Sequence, residues 1–131
     1  LESPARIGFV LDHGAEPATP RPGVASVVLD RLQDAGNVGS VLRSAAALGF
    51  EQVVALKGTA ALWSPKVLRA GMGAHFALHL VEGVGPDTLD ALAVPLVATS
   101  SHAERTLADG PLPTPCAWVL GHEGQGVGAA L

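Results

Sequence analysis

From Val24 onward the chain repeats one pattern: a short continuous apolar run, a segment with helical spacing, then another apolar run. The runs are Val24–Leu29, Gln52–Leu56, Phe76–Val81, Pro95–Thr99 and Cys116–Leu120. Strands that do not alternate polar with apolar residues are buried on both faces, as strands of a parallel sheet are. Between them, Val38–Leu48 reads as a helix, capped by Asn37 and stopped by Gly49. Ser64 and Pro65 supply an N-cap and a first helical residue for a helix running to about Ala70. Pro86–Ala93 reads as a short helix and Ala103–Leu107 as one helical turn. The alternation predicts an α/β fold, a Rossmann-like parallel sheet covered by helices on both faces.

At 131 residues, with 48% apolar residues and a mean hydropathy of +0.36, the chain is one globular domain. Residues 24–131 form that domain. Residues 1–23 read as the tail of something upstream, with a short strand at Arg6–Leu11 and a Pro- and Gly-rich linker at Asp12–Gly23. No apolar run reaches the length of a membrane span, and no signal peptide is expected at the start. The lone cysteine, Cys116, excludes an internal disulfide and fits the reducing cytosol. Eight basic residues against twelve acidic ones give a net charge of −4, which argues against a free-standing nucleic-acid binder. An enzyme that receives RNA from another domain or across a dimer is compatible with it. Four of the cations, Arg31, Arg43, Lys66 and Arg69, sit near the motifs that follow.

Ligands of open parallel sheets bind at the carboxyl ends of strands. That rule selects the chain after Leu29, after Thr99 and after Leu120. After Leu29, Asn37 and Arg43 lie about 9 Å apart along one helix axis. With Gly36 and Gly39 beside a helix N-terminus, they suit an anion. The spacing is neither a P-loop nor a dinucleotide fingerprint. After Thr99, the run Thr99-Ser100-Ser101-His102 offers hydroxyls. After Leu120, Gly121-His122-Glu123-Gly124-Gln125-Gly126-Val127-Gly128 offers backbone unscreened by side chains. Glu123 in such a turn accepts backbone N–H groups, which favours its ionised form. His122 reads as a loop side chain. His75 and His79 lack a third ligand, so no metal is expected, and Ser100 and Ser101 lack a hydrolase elbow.

The order of these segments resembles the SpoU-type (TrmH-like) RNA ribose 2′-O-methyltransferases of the α/β-knot superfamily. The first motif of that family, Asn-x-Gly-x-x-x-Arg, reads here Asn37-Val38-Gly39-Ser40-Val41-Leu42-Arg43. The intervening segment reads Arg69-Ala70-Gly71-Met72-Gly73-Ala74, and the second motif reads Gly121-His122-Glu123-Gly124-Gln125-Gly126. The resemblance implies a trefoil-knotted domain, a homodimer, S-adenosylmethionine (AdoMet) as methyl donor, and rRNA ahead of tRNA as substrate. It implies Arg43 as the catalytic arginine, Asn37 as its companion and Glu123 as the second-motif acid. Gly121, Thr99 and Ser100 would bind the cofactor, and Arg31, Arg43, Lys66 and Arg69 the RNA. No segment resembling the third motif of the family follows Gly128. On that ground the chain reads as the middle of a longer enzyme, expected to bind AdoMet weakly and not to turn over by itself. The competing readings are a non-catalytic RNA-binding paralogue of the same fold, and a generic α/β nucleotide-binding enzyme taking NAD or ATP.

Overall fold

The computed structural model describes residues 8–12, 17–129 and 131. Five parallel strands form one sheet: β1 (Ser26–Leu29), β2 (Gln52–Leu56), β3 (His79–Val84), β4 (Leu96–Ala98) and β5 (Ala117–Leu120). Their spatial order is β3-β2-β1-β5-β4. The last strand is therefore inserted beside the first, with Leu29 opposite Leu120 and Ser26 opposite Ala117. Every residue of β1 and β2 is buried, as strands of a parallel sheet covered on both faces are, including the polar Ser26 and Gln52 at their starts.

Two helices, α1 (Ala35–Ala47) and α2 (Pro65–Gly71), cover one face of the sheet. Val38, Leu42 and Ala45 of α1 join Val27, Leu29, Val53 and Val67 in the larger core. The α1–α2 contact is close because Gly39 has no side chain. A β-carbon there would collide with Ala70 and the backbone of Gly71. The opposite face packs Val28, Val54, Val81 and Val119 under Leu89 and Leu92.

Several local expectations shift. The segment Pro86–Leu92 that covers the second face is 3-10 rather than α-helical. The strand expected at Phe76–Val81 starts at His79, because Ala74–Phe76 closes a 3-10 turn that buries His75 and leaves Phe76 exposed. The helical turn expected at Ala103–Leu107 is a run of bends and turns. Of the strand expected at Arg6–Leu11, residues 8–11 are irregular and Phe9, Val10 and Leu11 are exposed; Arg6 and Ile7 lie outside the described residues. The linker's end is docked: buried Gln52 accepts from the Arg21 N–H (3.0 Å) and donates to the Arg21 carbonyl (2.8 Å). No helix among the described residues is long and apolar enough to cross a membrane.

Candidate ligand site at the switch point

The chain leaves β1 toward β2 on one side, and β5 lies against β1 on the other. A crevice opens at the carboxyl end of such a reversal. The three places selected from sequence are neighbours there. The Asp30 N–H donates to the Leu120 carbonyl (2.8 Å), and the Thr99 N–H to the Val119 carbonyl (3.1 Å).

The loop after β1 enters α1 by a cap other than the one expected. Asp34, not Asn37, is the N-cap, and its carboxylate accepts the Asn37 N–H at 2.7 Å. Both residue types cap well, and the helix starts at the earlier of the two. Asn37 thus lies in the first turn, where its side-chain amide is free to reach outward. It donates to Glu123 Oε1 at 3.3 Å.

The loop after β5 is a tight reversal. The His122 N–H donates to the Gly126 carbonyl (3.0 Å), and the Gly126 N–H returns to the His122 carbonyl (2.8 Å). Gly121 cannot carry a side chain, since a β-carbon would overlap the backbone of Gly126 and Val127. His122 Nδ1 accepts the Gly124 N–H at 2.9 Å, which makes it a loop organiser. Glu123 reaches across to the other loop and accepts from the N–H groups of Asp34 (3.3 Å) and Gln33 (3.5 Å). Its own backbone N–H lowers its pKa most. Some loss of hydration opposes, and the Asn37 amide and the Asp34 and Gln33 N–H groups add to the lowering.

A second carboxylate works in the reverse direction, and sequence reasoning missed it. Asp30 is buried and accepts the Gly128 N–H at 2.7 Å. It also takes a fork from Arg31, Nε to Oδ1 at 3.0 Å and Nη2 to Oδ2 at 3.1 Å. Burial pushes its pKa up, but the Arg31 and Gly128 hydrogen bonds and the charges of Arg31 and His122 outweigh it and leave the pKa lowered. The signal available was an Asp-Arg pair directly after a buried strand; its partner lies 98 residues on.

The remaining predicted residues divide. Lys66 and Arg69 come together with Gln33, Asp34 and Gly36 around an open depression of about 650 Å³ at the start of α1. Arg31 stands apart from them, engaged by Asp30 and by Gln125 Oε1 at 3.1 Å. Arg43 is exposed on α1, and its Nη1 lies 3.3 Å from Met72 Sδ at the end of α2. Thr99 Oγ1 donates to the Val119 carbonyl (3.1 Å), and Ser100 Oγ accepts the His102 N–H (3.1 Å). Both residues are exposed beside Gly121. Among the described residues no group of three or more His, Cys, Asp or Glu could hold a metal ion. His75 is taken by the Leu62 carbonyl and His79 by the Thr19 carbonyl.

A parallel sheet with two interlocked loops at its switch point defines a Rossmann-like ligand-binding domain. Its family is specific: the chain belongs to the SpoU rRNA methylase family, whose model matches residues 25–131. Among relatives, mouse mitochondrial rRNA methyltransferase 3 is 48% identical over 75 residues, 56% of this chain and 18% of that protein. The Bacillus subtilis 23S rRNA (guanosine(2553)-2′-O)-methyltransferase RlmP is 35% identical over 108 residues, 80% of this chain and 44% of that protein. The chain therefore spans less than half the length of either. Among solved structures, the SpoU methyltransferase AviRb from Streptomyces viridochromogenes, in complex with AdoMet, superposes with a TM-score of 0.76. It is 28% identical, over 84% of this chain and 47% of AviRb. An RNA 2′-O ribose methyltransferase gives a TM-score of 0.74 and 36% identity, over 92% of this chain and 47% of that one.

Proposed function

We propose that the protein containing this domain transfers a methyl group from AdoMet to a ribose 2′-hydroxyl of rRNA. The observation that carries the reading is the Glu123 carboxylate. It ties the second-motif loop to Gln33, Asp34 and Asn37, so the two motifs meet in one crevice. The groups present fit AdoMet. The described partners of Glu123 are all uncharged N–H groups, which leaves its negative charge available to a sulfonium. At Gly124 a β-carbon would meet nothing nearer than the His122 ring at 3.8 Å, so backbone is open to a ligand. Thr99, Ser100 and Gly121 would hold the cofactor. When bound, AdoMet supplies the methyl group from its sulfonium centre.

The remaining work falls to the chain's own residues. Arg43 keeps its proton in proteins, so it is a poor general base. It binds the phosphate beside the target ribose with its planar fork and polarises the 2′-hydroxyl. The hydroxyl proton leaves to a phosphate oxygen or to water. Lys66 and Arg69, around the depression at the start of α1, hold neighbouring phosphates. The active unit is a homodimer in this reading. The apolar groove of about 370 Å³ lined by Val41, Leu48, Phe50 and Trp118 suits a second copy.

Full-length protein incubated with methyl-labelled AdoMet and rRNA should label ribose 2′-oxygens. Arg43→Lys should lower turnover on the order of a hundredfold with AdoMet affinity unchanged. An Arg43→Lys enzyme with undiminished turnover rules out the forked role of Arg43.

A further inference from the structure

We propose that Asp30 and Arg31 form a positioning pair for the far limb of the second-motif loop, Gln125–Gly128, and that Arg31 is not an RNA contact. The proposal rests on the reading of that loop as the AdoMet loop. It starts from the backbone. Arg31 has φ +59°, in the left-handed region that a non-glycine residue adopts only when held there. What holds it is Thr59. Its hydroxyl accepts the Arg31 N–H at 3.1 Å and donates to the Leu29 carbonyl at 3.0 Å. Gly58 leaves room beside the arginine, where a β-carbon would stand 3.2 Å from Arg31 Cγ.

This turn folds the guanidinium back over the preceding carboxylate, so both oxygens of Asp30 are taken by its neighbour. One oxygen and one arginine nitrogen then face the other loop: Asp30 Oδ2 receives the Gly128 N–H, and Arg31 Nη1 reaches Gln125. Gly128 is shaped for the contact, since a β-carbon there would lie 3.1 Å from Arg31 Nη2 and 3.2 Å from Asp30 Oδ2. Glu123 fixes the near limb to Gln33, Asp34 and Asn37, and the Asp30–Arg31 pair fixes the far limb to the start of that same segment. The pair also explains how a buried aspartate is tolerated, because a bidentate partner and a backbone N–H satisfy it. For Arg31 to turn the same fork to an RNA phosphate it would have to release Asp30 and strand that charge.

The test compares Asp30→Asn, Arg31→Ala and Arg31→Lys in the full-length protein. Without any ligand, hydrogen exchange should quicken across residues 125–128 in all three while residues 52–56 stay protected, which shows the fold intact. Lys is expected not to rescue, because a point charge cannot form the fork. AdoMet affinity, by calorimetry, should fall about tenfold or more, and the dependence of RNA affinity on salt should keep its slope. Unchanged exchange at 125–128 overturns the proposal. So does an Arg31→Ala slope shallower by roughly 0.7–0.9, the signature of a lost phosphate contact. Wild-type protein that binds no AdoMet counts against the methyltransferase reading, whereas unchanged exchange at 125–128 with AdoMet bound counts against the pair alone.

Discussion

The two halves of the sheet are built to different standards. On one side, β1 and β2 are fully buried, β3 extends them, and two α-helices interlock over them through Gly39. On the other, β4 is three residues long and largely exposed, and an irregular stretch separates it from β5. The dense half holds Asn37, Arg43, Lys66 and Arg69, the last three of them cations, which suits the proposed contact with a large polyanion. The sparse half holds Thr99, Ser100 and Gly121, the residues proposed to meet the cofactor. Helices fix charged side chains well, and short loops offer bare amides better. The two sides of the crevice are built separately and are joined through Glu123, Asp30 and Arg31.

The sharpest way to break this contrast is to hollow out each half in turn. Leu42 of α1 is fully buried, and Leu42→Ala should cost roughly 2–5 kcal/mol in denaturant unfolding. Val97→Ala on β4 should cost less than about 1 kcal/mol, because that residue is only partly covered. Equal losses would mean that the sheet is uniformly stable. A smaller effect separates two glycines. Gly39→Ala should cost about 1–3 kcal/mol by forcing α1 from α2, whereas Gly124→Ala should leave the melting temperature nearly unchanged.

The smallest expected effect is on pH dependence. Asp30 and Glu123 both have lowered pKa values in the folded protein. Their contribution is therefore complete above the ordinary carboxylate values of 3.8 and 4.5, and is lost as pH falls through the folded values. Acid unfolding of Asp30→Asn should be less steep than that of the wild type below that range. An identical acid limb would show that Asp30 gains nothing from Arg31 and Gly128.

Much of the dense half was legible because its signals are local. Ser64 caps α2 as its sequence suggests, its hydroxyl accepting the Val67 N–H at 3.4 Å. The buried runs of β1 and β2 fall where the apolar residues do. Asn37 was misplaced because two good capping residues stand three apart, and only the tertiary contact to Glu123 gives the second another task. Phe76 was read as strand because its apolar side chain suggests burial, yet it is exposed on a 3-10 turn. In the site, the motif residues were readable and their links were not. Glu123 meets residues 86 to 90 positions earlier, and Asp30 meets one 98 later. Such contacts exist only once the sheet is closed.

The insertion of β5 between β1 and β4 has a consequence for biosynthesis. Until residues 117–120 leave the ribosome, β1 has one paired edge against β2 and one bare edge of unmatched N–H and C=O groups. That bare edge belongs to a strand whose residues are all buried in the closed sheet, so a nascent chain stalled or cleaved ahead of Ala117 presents a ready template for aggregation. The strand that closes the gap is the same one that delivers Glu123 to Asn37. Relief from that hazard and assembly of the crevice are therefore one event, governed by contacts of long sequence separation.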